Sequence, residues 1–390
     1  MIVRKLKKEE YYEGECIATM AFHWSLPTEE DRERLRQKSL TAANLHYGAF
    51  TDDGRMMARI MNDKYVSRLD GHRVRAGGIG GVSTLPEYRE TGCIRRIFDL
   101  LLPDAYRDGE VLSYLYPFNI SFYRKFGYEA APWKRNYRFK PAVLKDYHFS
   151  GDAILYRDGD SLGEYTELYN RYADSFNVAF VRDEKCFYED HLKGEWYVNR
   201  KFTYLLRQDG ENVAYVSFQD EDRELAVQDM AFLGRKGFNA ILGFLARFSA
   251  DYKTILLPLP TCIELGSVIH SRDIYDVDII TKQSFMVRVV NAREALSAIR
   301  KPENTRFVIQ VTGDEQIAEN NRTYLVTDSA VTETEEAPDL SVTIQTLGQL
   351  VIGVTGLFEA ELREGTEVLG SRDTLEKVFV RKPWMIQDHF

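Results

Sequence analysis

The segment that most constrains the fold of this chain runs from Gly77 to Tyr128. Its first part, up to Leu85, consists mainly of small and β-branched residues and predicts a strand, and a turn over Pro86–Thr91 follows. A helical pattern begins at Gly92. Backbone N–H groups at the start of a helix attract negative charge, and the helix dipole adds to this attraction. The strand, turn and helix therefore predict an anion-binding site.

The helix that follows Gly92 has one apolar face. Its apolar residues recur at i, i+3, i+4, i+7 and i+11, and they are Ile94, Ile97, Phe98, Leu101 and Ala105. Pro103 is expected to kink or interrupt this helix, and Gly109 is expected to end it. A second apolar run at Val111–Leu115 and an aromatic-rich stretch at Phe118–Tyr128 complete the segment.

The composition excludes a disordered chain and argues against general nucleic-acid binding. A length of 390 residues predicts two or three domains, and 44% apolar with 13% aromatic residues is enough for packed cores. The 51 basic and 60 acidic residues give a net charge of −9. Nucleic-acid-binding proteins need a basic surface, whereas an acidic protein attracts cationic substrates through its long-range field.

Cysteine usage and the N-terminus predict a cytoplasmic protein. The four cysteines, Cys16, Cys93, Cys186 and Cys262, form no CxxC pair, so neither a zinc site nor a disulfide framework is expected. No spacing of acidic residues or histidines predicts another metal site. The N-terminal ten residues are charged, and no apolar run approaches 18 residues. Neither a signal peptide nor a membrane interaction is therefore expected.

The order of predicted elements indicates an α/β (α+β) protein of three domains. The first domain is assigned to residues 1–150, and its first ~140 residues are predicted to follow the order β-α-α-β-β-β-α-β-α-β, a mixed α/β layer structure. Residues 151–283 repeat this order in part, as helix–helix–strand–strand–strand–helix–strand, and we infer a duplicated fold. A third unit over residues 284–390 alternates short strands and short helices.

Three motifs resemble one enzyme family. The sequences Val82-Ser83-Thr84 and Arg89-Glu90-Thr91-Gly92-Cys93-Ile94 resemble the acetyl-CoA-binding motif of the GNAT acetyltransferases, Q/R-x-x-G-x-G/A, with Ile94 replacing the last small residue. Phe122-Tyr123-Arg124-Lys125-Phe126-Gly127-Tyr128 resembles the enhanced-intracellular-survival (Eis) branch of that family. Pro383-Trp384-Met385 and the final Asp388-His389-Phe390 resemble the end of the same group.

The resemblance covers the full chain and implies its architecture. It implies two GNAT-type domains in tandem, the second degenerate, followed by a sterol carrier protein-like domain. It further implies a cytoplasmic enzyme that forms a hexamer, uses acetyl-CoA without a metal, and acetylates small amines such as aminoglycosides.

The resemblance also assigns the cofactor site. Backbone groups of Val82 and Thr84, beside Ser83, are expected to meet the pantetheine arm. The pyrophosphate is expected to meet the loop and helix start at Arg89, Glu90, Gly92, Cys93 and Ile94, and Phe118 and Asn119 are placed beside the cofactor. Glu90 stands where many relatives carry a basic residue.

The catalytic chemistry needs one acid and one base. An alkyl ammonium group has a pKa near 10, so a carboxylate must take its proton before the amine can attack the thioester. The departing thiolate then needs a proton, and a phenol can supply it. The resemblance implies Tyr123 as the acid and the main-chain carboxylate of Phe390 as the base.

Four further residues are predicted to contact the acceptor. Phe22 and Trp24 lie in the region that lines the acceptor cavity in the family, where an aromatic ring can stack on an amine or a sugar. Asp388 and His389 replace the acidic residue that often precedes the family's last residue.

Two alternative functions remain open at this point. The chain could be a lipid- or ligand-binding protein in which the GNAT half is a silent scaffold. It could also be an aminoacyl- or peptidyl-transferase that uses an acyl-tRNA, which suits the doubled GNAT order but not the acidic charge.

Overall fold

The computed structural model describes residues 1–42, 45–131, 134–187, 196–269, 276–282 and 285–388. The chain falls into two compact units. Unit 1 joins residues 1–131 to residues 285–381, and unit 2 joins residues 134–282 to residues 382–388. Among the helices in these ranges, none is both long enough and apolar enough to cross a membrane.

The first part of unit 1 follows the order of elements that the sequence predicts. Its strands are β1 (Ile2–Lys5), β2 (Leu45–Phe50), β3 (Met56–Leu69), β4 (His72–Thr84), β5 (Leu112–Leu115) and β6 (Glu129–Ala130). Its helices are α1 (Tyr11–Phe22), α2 (Glu29–Thr41), α3 (Cys93–Arg107) and α4 (Ile120–Arg124). The predicted β-α-α-β-β-β-α-β-α-β order is thus confirmed.

Unit 2 contains the second α/β domain. Its strands are β7 (Lys134–Phe139), β8 (Asp152–Leu155), β9 (Lys201–Gln208), β10 (Glu211–Glu221), β11 (Glu224–Phe232), β12 (Thr254–Leu259) and β13 (Val277–Lys282). Its helices are α5 (Gly163–Ala173), α6 (Glu184–Phe187), α7 (Trp196–Asn199), α8 (Gly234–Ala246) and α9 (Leu265–Val268).

The rest of unit 1 is built from short elements. The strands are β14 (Met286–Val289), β15 (Arg306–Thr312), β16 (Thr323–Thr327), β17 (Val331–Glu333), β18 (Leu340–Thr343) and β19 (Glu367–Val368). The helices are α10 (Ala292–Ala298), α11 (Ile344–Ile352), α12 (Leu357–Ala360) and α13 (Arg372–Val378). The predicted α/β (α+β) class is confirmed.

The sheets do not follow the chain order. Unit 1 holds a seven-stranded sheet of order β1-β2-β3-β4-β5-β14-β6 and a five-stranded sheet of order β17-β16-β15-β18-β19. Unit 2 holds one sheet of order β13-β7-β12-β11-β10-β9-β8. Strand β14 therefore inserts between β5 and β6, more than 150 residues after β6 in sequence. Hydrophobic patterning predicts that β14 is a strand, but it does not identify its partners.

Helix α3 covers the first sheet with the apolar face that the sequence predicts. Ile97, Phe98, Leu101 and Ala105 are all buried, and a buried Phe or Leu side chain contributes about 1.5–3 kcal/mol. The helix continues through Pro103 to Arg107, so the alternative that Pro103 interrupts it is wrong. Packing of this face against the sheet offsets the one backbone hydrogen bond that proline cannot make.

Candidate active site

The candidate site lies where β4 and β5 separate. The two strands pair in parallel from Ala76–Ile79 to Leu112–Leu115, and β4 then runs on to Thr84 without pairing, on this side, with any other strand of the described residues. The Leu85 N–H donates to the carbonyl of Met57 on β3 at 2.9 Å. Backbone groups of alternate residues point to opposite sides of a strand, so those of Val82 and Thr84 point towards the side that β5 has left.

A β-bulge in β4 lies next to these exposed backbone groups. Met61 pairs with Gly80 and Arg59 pairs with Ser83, so two residues of β4 oppose one residue of β3. Gly81 in the bulge has a φ of +56°, a region that favours glycine. A Cβ atom at Gly81 would lie 2.6 Å from Nη2 of Arg59, so the close approach of the guanidinium also requires glycine.

The buried guanidinium group of Arg59 forms hydrogen bonds with two other residues. Its guanidinium donates to both carboxylate oxygens of Glu15 on α1, each at 3.0 Å, and to Nδ1 of His46 at 3.2 Å. The His46 ring stacks on Tyr11 with 3.9 Å between centroids. Burial, and then the charge of Arg59, lower the pKa of His46 to about 3, so its neutral ring accepts the Arg59 hydrogen bond. This cluster fixes the bulge that presents Val82 and Thr84.

The loop between β4 and α3 has the geometry of an anion site. Glu90 and Gly92 have φ values of +63° and +83°, and such left-handed residues in a turn direct successive N–H groups into one concavity. Gly92 precedes α3 without a side-chain cap, so the first N–H groups of that helix face outward. Thr91 instead donates its hydroxyl to the carbonyl of Tyr88 at 2.7 Å, inside the loop.

The side chains of this loop divide into exposed and buried ones. Arg89, Glu90 and Gly92 are exposed, Ile94 is half-buried, and Cys93 is buried with its Sγ atom 3.2 Å from the Thr91 hydroxyl. The residues therefore fit a pyrophosphate through their backbone, in the way that the sequence motif implies.

Tyr123 lies on α4, and its ring is part of an aromatic cluster. Its ring makes edge-on contacts with four other aromatic rings. The distances between ring centroids are 5.3 Å to Phe118, 5.1 Å to Phe122, and 6.4 Å to both Phe98 and Tyr128. Burial, and then the nearby Tyr128, raise the pKa of Tyr123 above its ordinary value, so its hydroxyl is protonated at neutral pH, as that of an exposed tyrosine also is. The structure thus provides a protonated phenol in the same unit as the candidate anion site.

The turn after α4 is held by a buried ion pair. Arg288 on β14 donates to both oxygens of Asp314 at 2.6 and 2.8 Å, and both side chains are completely buried. The Arg288 guanidinium also donates to the carbonyl of Phe126. A Cβ atom at Gly127, where φ is +78°, would lie only 1.7 Å from this guanidinium. The C-terminal part of unit 1 therefore fixes the turn that follows Tyr123.

The other predicted site residues of unit 1 differ in exposure. Phe118 is exposed, and the side-chain oxygen of Asn119 accepts the Phe122 N–H at 3.1 Å as the N-cap of α4. Ser83 is buried and donates its hydroxyl to the carbonyl of Gly81 at 3.1 Å. Phe22 ends α1 and is exposed, and Trp24 follows it with a partly exposed ring.

Three predicted residues lie near the end of the chain. Asp388 belongs to unit 2, where its buried carboxylate accepts a hydrogen bond from Nε of Arg182 at 2.8 Å. His389 and Phe390 lie outside the described residues. The roles of all three therefore stay predictions.

Comparisons with known protein families match two regions of the sequence. Residues 2–131 match the acetyltransferase (GNAT) domain family. The chain carries a GNAT acetyltransferase domain. Residues 288–386 match the sterol carrier protein domain family. The predicted acetyltransferase and the predicted C-terminal domain are both confirmed at this level.

Solved structures show the same fold along the whole chain. A conserved Enterococcus faecalis protein described as a probable N-acyltransferase is 21% identical, with a TM-score of 0.88 over 100% of this chain and 99% of that one. A GCN5-related N-acetyltransferase from Anabaena variabilis is 19% identical, with a TM-score of 0.86 and full coverage of both chains. Eis1 from Mycobacterium abscessus is 19% identical, with a TM-score of 0.84 and full coverage of both. No curated protein matches the sequence.

Sequence reasoning missed the buried charged residues around the candidate site. Arg59 and Arg288 were not predicted to have a role, nor were their partners Glu15 and Asp314. The sequence feature that could have identified these residues is a single arginine within an apolar strand, as in Met56-Met57-Ala58-Arg59-Ile60-Met61. An arginine buried in this way must have a partner for its charge. The pattern does not say where that partner lies.

Proposed function

We propose that this chain is an N-acetyltransferase that transfers the acetyl group of acetyl-CoA to a primary amine of a small molecule or a peptide. One observation carries the proposal: the free edge of β4, the uncapped start of α3 and the protonated Tyr123 all lie in unit 1, within the GNAT domain. The negative net charge of the chain suits a cationic acceptor of the aminoglycoside or polyamine class, or a lysine side chain.

In the proposed reaction the amine attacks the thioester carbonyl directly. The carboxylate of Phe390 takes a proton from the ammonium group, and the neutral nitrogen forms a C–N bond with the acetyl carbon while the C–S bond breaks. The Tyr123 hydroxyl gives its proton to the sulfur as negative charge develops on it, and the acetylated nitrogen then releases its surplus proton, which restores the Tyr123 hydroxyl. The products are an N-acetylated amine, free CoA and the proton that the Phe390 carboxylate took. Phe22 and Trp24 are proposed to contact the acceptor, together with His389.

The C-terminal part of unit 1 supports this function better than lipid transport. Leu347, Leu350 and Ile352 of α11 are completely buried, so the protein's own side chains fill this core. An open groove of about 450 Å³ beside β15–β17 is lined largely by polar residues, including Gln310, Thr312, Asn321, Arg322, Glu333 and Glu335. A lipid chain requires an apolar lining.

The decisive assay mixes the pure protein with acetyl-CoA and a panel of amines, and follows the release of free thiol. Aminoglycosides, polyamines and lysine peptides would form the panel. We expect thiol release that depends on at least one amine and on the Tyr123 hydroxyl. Thiol release that no amine accelerates would contradict the proposal.

Replacement of Gly92 by alanine is expected to weaken acetyl-CoA binding. An L-residue at φ +83° costs about 1–2 kcal/mol. Apart from the two adjoining residues, no atom of the described part of the chain lies within 4 Å of the added Cβ, so the change acts through the backbone of the loop. We expect an increase of about tenfold in KM for acetyl-CoA. Gly54, in the β2–β3 turn at φ +89°, is an equally open matched control. Equal KM values for Gly92→Ala and Gly54→Ala would contradict the expectation.

Addition of one residue after Phe390 is expected to abolish activity without unfolding the protein. The extension moves the proposed base away by one residue, and loss of a general base costs about 10²- to 10⁴-fold in rate. Steady-state kinetics measures this loss, while the melting temperature and the acetyl-CoA affinity should stay unchanged. Retained activity would remove Phe390 from the mechanism.

A further inference from the structure

The sheet of unit 2 opens in the same way as the sheet that carries the GNAT site. Strand β11 pairs in parallel with β12 from Glu224–Ala226 to Thr254–Leu256, and it then runs on to Phe232 with no further strand, among those the structure describes, paired on this side. In unit 1 the corresponding opening between β4 and β5 exposes the backbone that is proposed to meet acetyl-CoA. Unit 2 thus has a second cleft of the same topology.

Residues 382–388 lie at this second cleft. We call Lys382–Asp388 the C-terminal segment. Its Gln387 side chain donates to the carbonyl of Met230 on β11 at 3.3 Å. Its main chain pairs with Asn177, whose N–H donates to the Pro383 carbonyl at 2.9 Å and whose carbonyl accepts the Met385 N–H at 3.1 Å. The segment therefore contacts β11 through the Gln387 side chain and is held beside it by one isolated main-chain bridge at Asn177.

The packing of the C-terminal segment leaves little space for a ligand. Trp384, Met385 and Ile386 are buried, and Met385 belongs to the hydrophobic core of unit 2. A cavity of about 30 Å³ remains between residues 384–387 and the end of β12. This volume suits one or two water molecules and is too small for a pantetheine arm.

A buried arginine fixes the last described residue of the segment. Arg182 is completely buried and donates from Nε to Asp388 at 2.8 Å and from Nη1 to Asp229 on β11 at 2.8 Å. Its guanidinium also stacks on the Tyr169 ring, 3.7 Å from the centroid. Burial alone would lower the pKa of Arg182, but the charges of Asp229 and Asp388 raise it well above its ordinary value. The guanidinium is therefore a permanent cation that binds two carboxylates.

We propose that the opening between β11 and β12, which has the topology of the candidate cofactor cleft in unit 1, is the binding site for the chain's own C-terminal segment, with Arg182–Asp388 as its anchor. Arg182 is then a positioning residue for the proposed base. It binds Asp388, and Asp388 precedes Phe390 by only two residues. This catalytic consequence rests on the proposed function of the Phe390 carboxylate. The docking itself rests only on the contacts within unit 2.

The first test is hydrogen–deuterium exchange of the full chain, followed by mass spectrometry of the C-terminal peptide. Asp388→Asn removes one charge from the anchor and leaves the Arg182–Asp229 pair intact, so unit 2 keeps its fold. We expect slow exchange of the 382–388 amides in the original chain and at least tenfold faster exchange in Asp388→Asn. Unprotected amides in the original chain, or equal rates in the two proteins, would overturn the proposal.

A matched control and a kinetic measurement separate the docking from its catalytic consequence. Asp209→Asn removes a carboxylate of unit 2 that pairs with Lys236 and is 76% exposed, and it should leave exchange of the C-terminal segment unchanged. In Asp388→Asn we expect kcat to fall at least tenfold, with KM for acetyl-CoA within twofold of the original value. Faster exchange with an unchanged kcat would support the docking and would overturn the proposed role of Phe390.

Discussion

Replacement of Tyr123 by phenylalanine is expected to lower kcat by about 10²- to 10⁴-fold, because the thiolate would then leave without a proton donor. KM for acetyl-CoA should change by less than about threefold, since the proposed contacts of the cofactor are to the backbone of β4 and α3. The phenylalanine ring can keep the edge-on contacts with Phe98, Phe118 and Phe122, so the melting temperature should be retained. Steady-state kinetics with varied acetyl-CoA measures both constants.

Tyr128 provides the matched control for this experiment. It lies in the same aromatic cluster and is completely buried, but its hydroxyl forms a hydrogen bond with the Ser113 hydroxyl at 2.7 Å. Tyr128→Phe should therefore cost about 1 kcal/mol of stability and leave kcat nearly unchanged. If Tyr128→Phe lowered kcat as much as Tyr123→Phe does, loss of packing or polarity in the cluster, and not loss of an acid, would explain both.

Replacement of Arg288 by methionine is expected to destabilise unit 1 by about 3–5 kcal/mol, because it leaves Asp314 as a buried charge without its cation. The change also frees the Phe126 carbonyl, so the turn after Tyr123 should loosen and kcat should fall. Native-state hydrogen exchange of peptides from α4 and β14 measures the local free energy of opening, and kinetics measures the second effect.

The exposed ion pair between Arg306 and Glu336 tests whether burial is the reason for the loss of stability that we expect in Arg288→Met. The two side chains are 56% and 48% exposed, and pairs of this kind contribute about 0–1 kcal/mol. Arg306→Met should therefore change neither the exchange of α4 nor kcat. A similar loss of stability in the two variants would show that the buried pair has no special role.

The sequence predicts the local parts of the site well. The start of α3 at Gly92, its apolar face and the order of elements in the first domain all follow from residue spacing and from the conformational preference of glycine. The GNAT family follows from a motif of a few adjacent residues. These features are predictable because the interactions that determine them join residues that are close in the chain.

The parts that the sequence does not predict depend on partners that are distant in the chain. Arg182 and Asp388 are 206 residues apart, and Arg59 and Glu15 are 44 residues apart. Charge and burial can be inferred for each residue alone, but a pair requires the fold. The partners of β14 are unpredictable for the same reason, since a strand of four residues, three of them apolar, fits many edges.

The insertion of β14 has a consequence for how the protein is made. The sheet of the GNAT domain lacks its sixth strand until residues 286–289 have left the ribosome, although its other strands end at Ala130. At about 5–20 residues per second, the nascent N-terminal domain waits roughly 8–30 s with β5 and β6 unpaired on the sides that will face β14. Unpaired strand edges bind other chains, so chaperones that cover such edges during synthesis should determine the yield of folded protein.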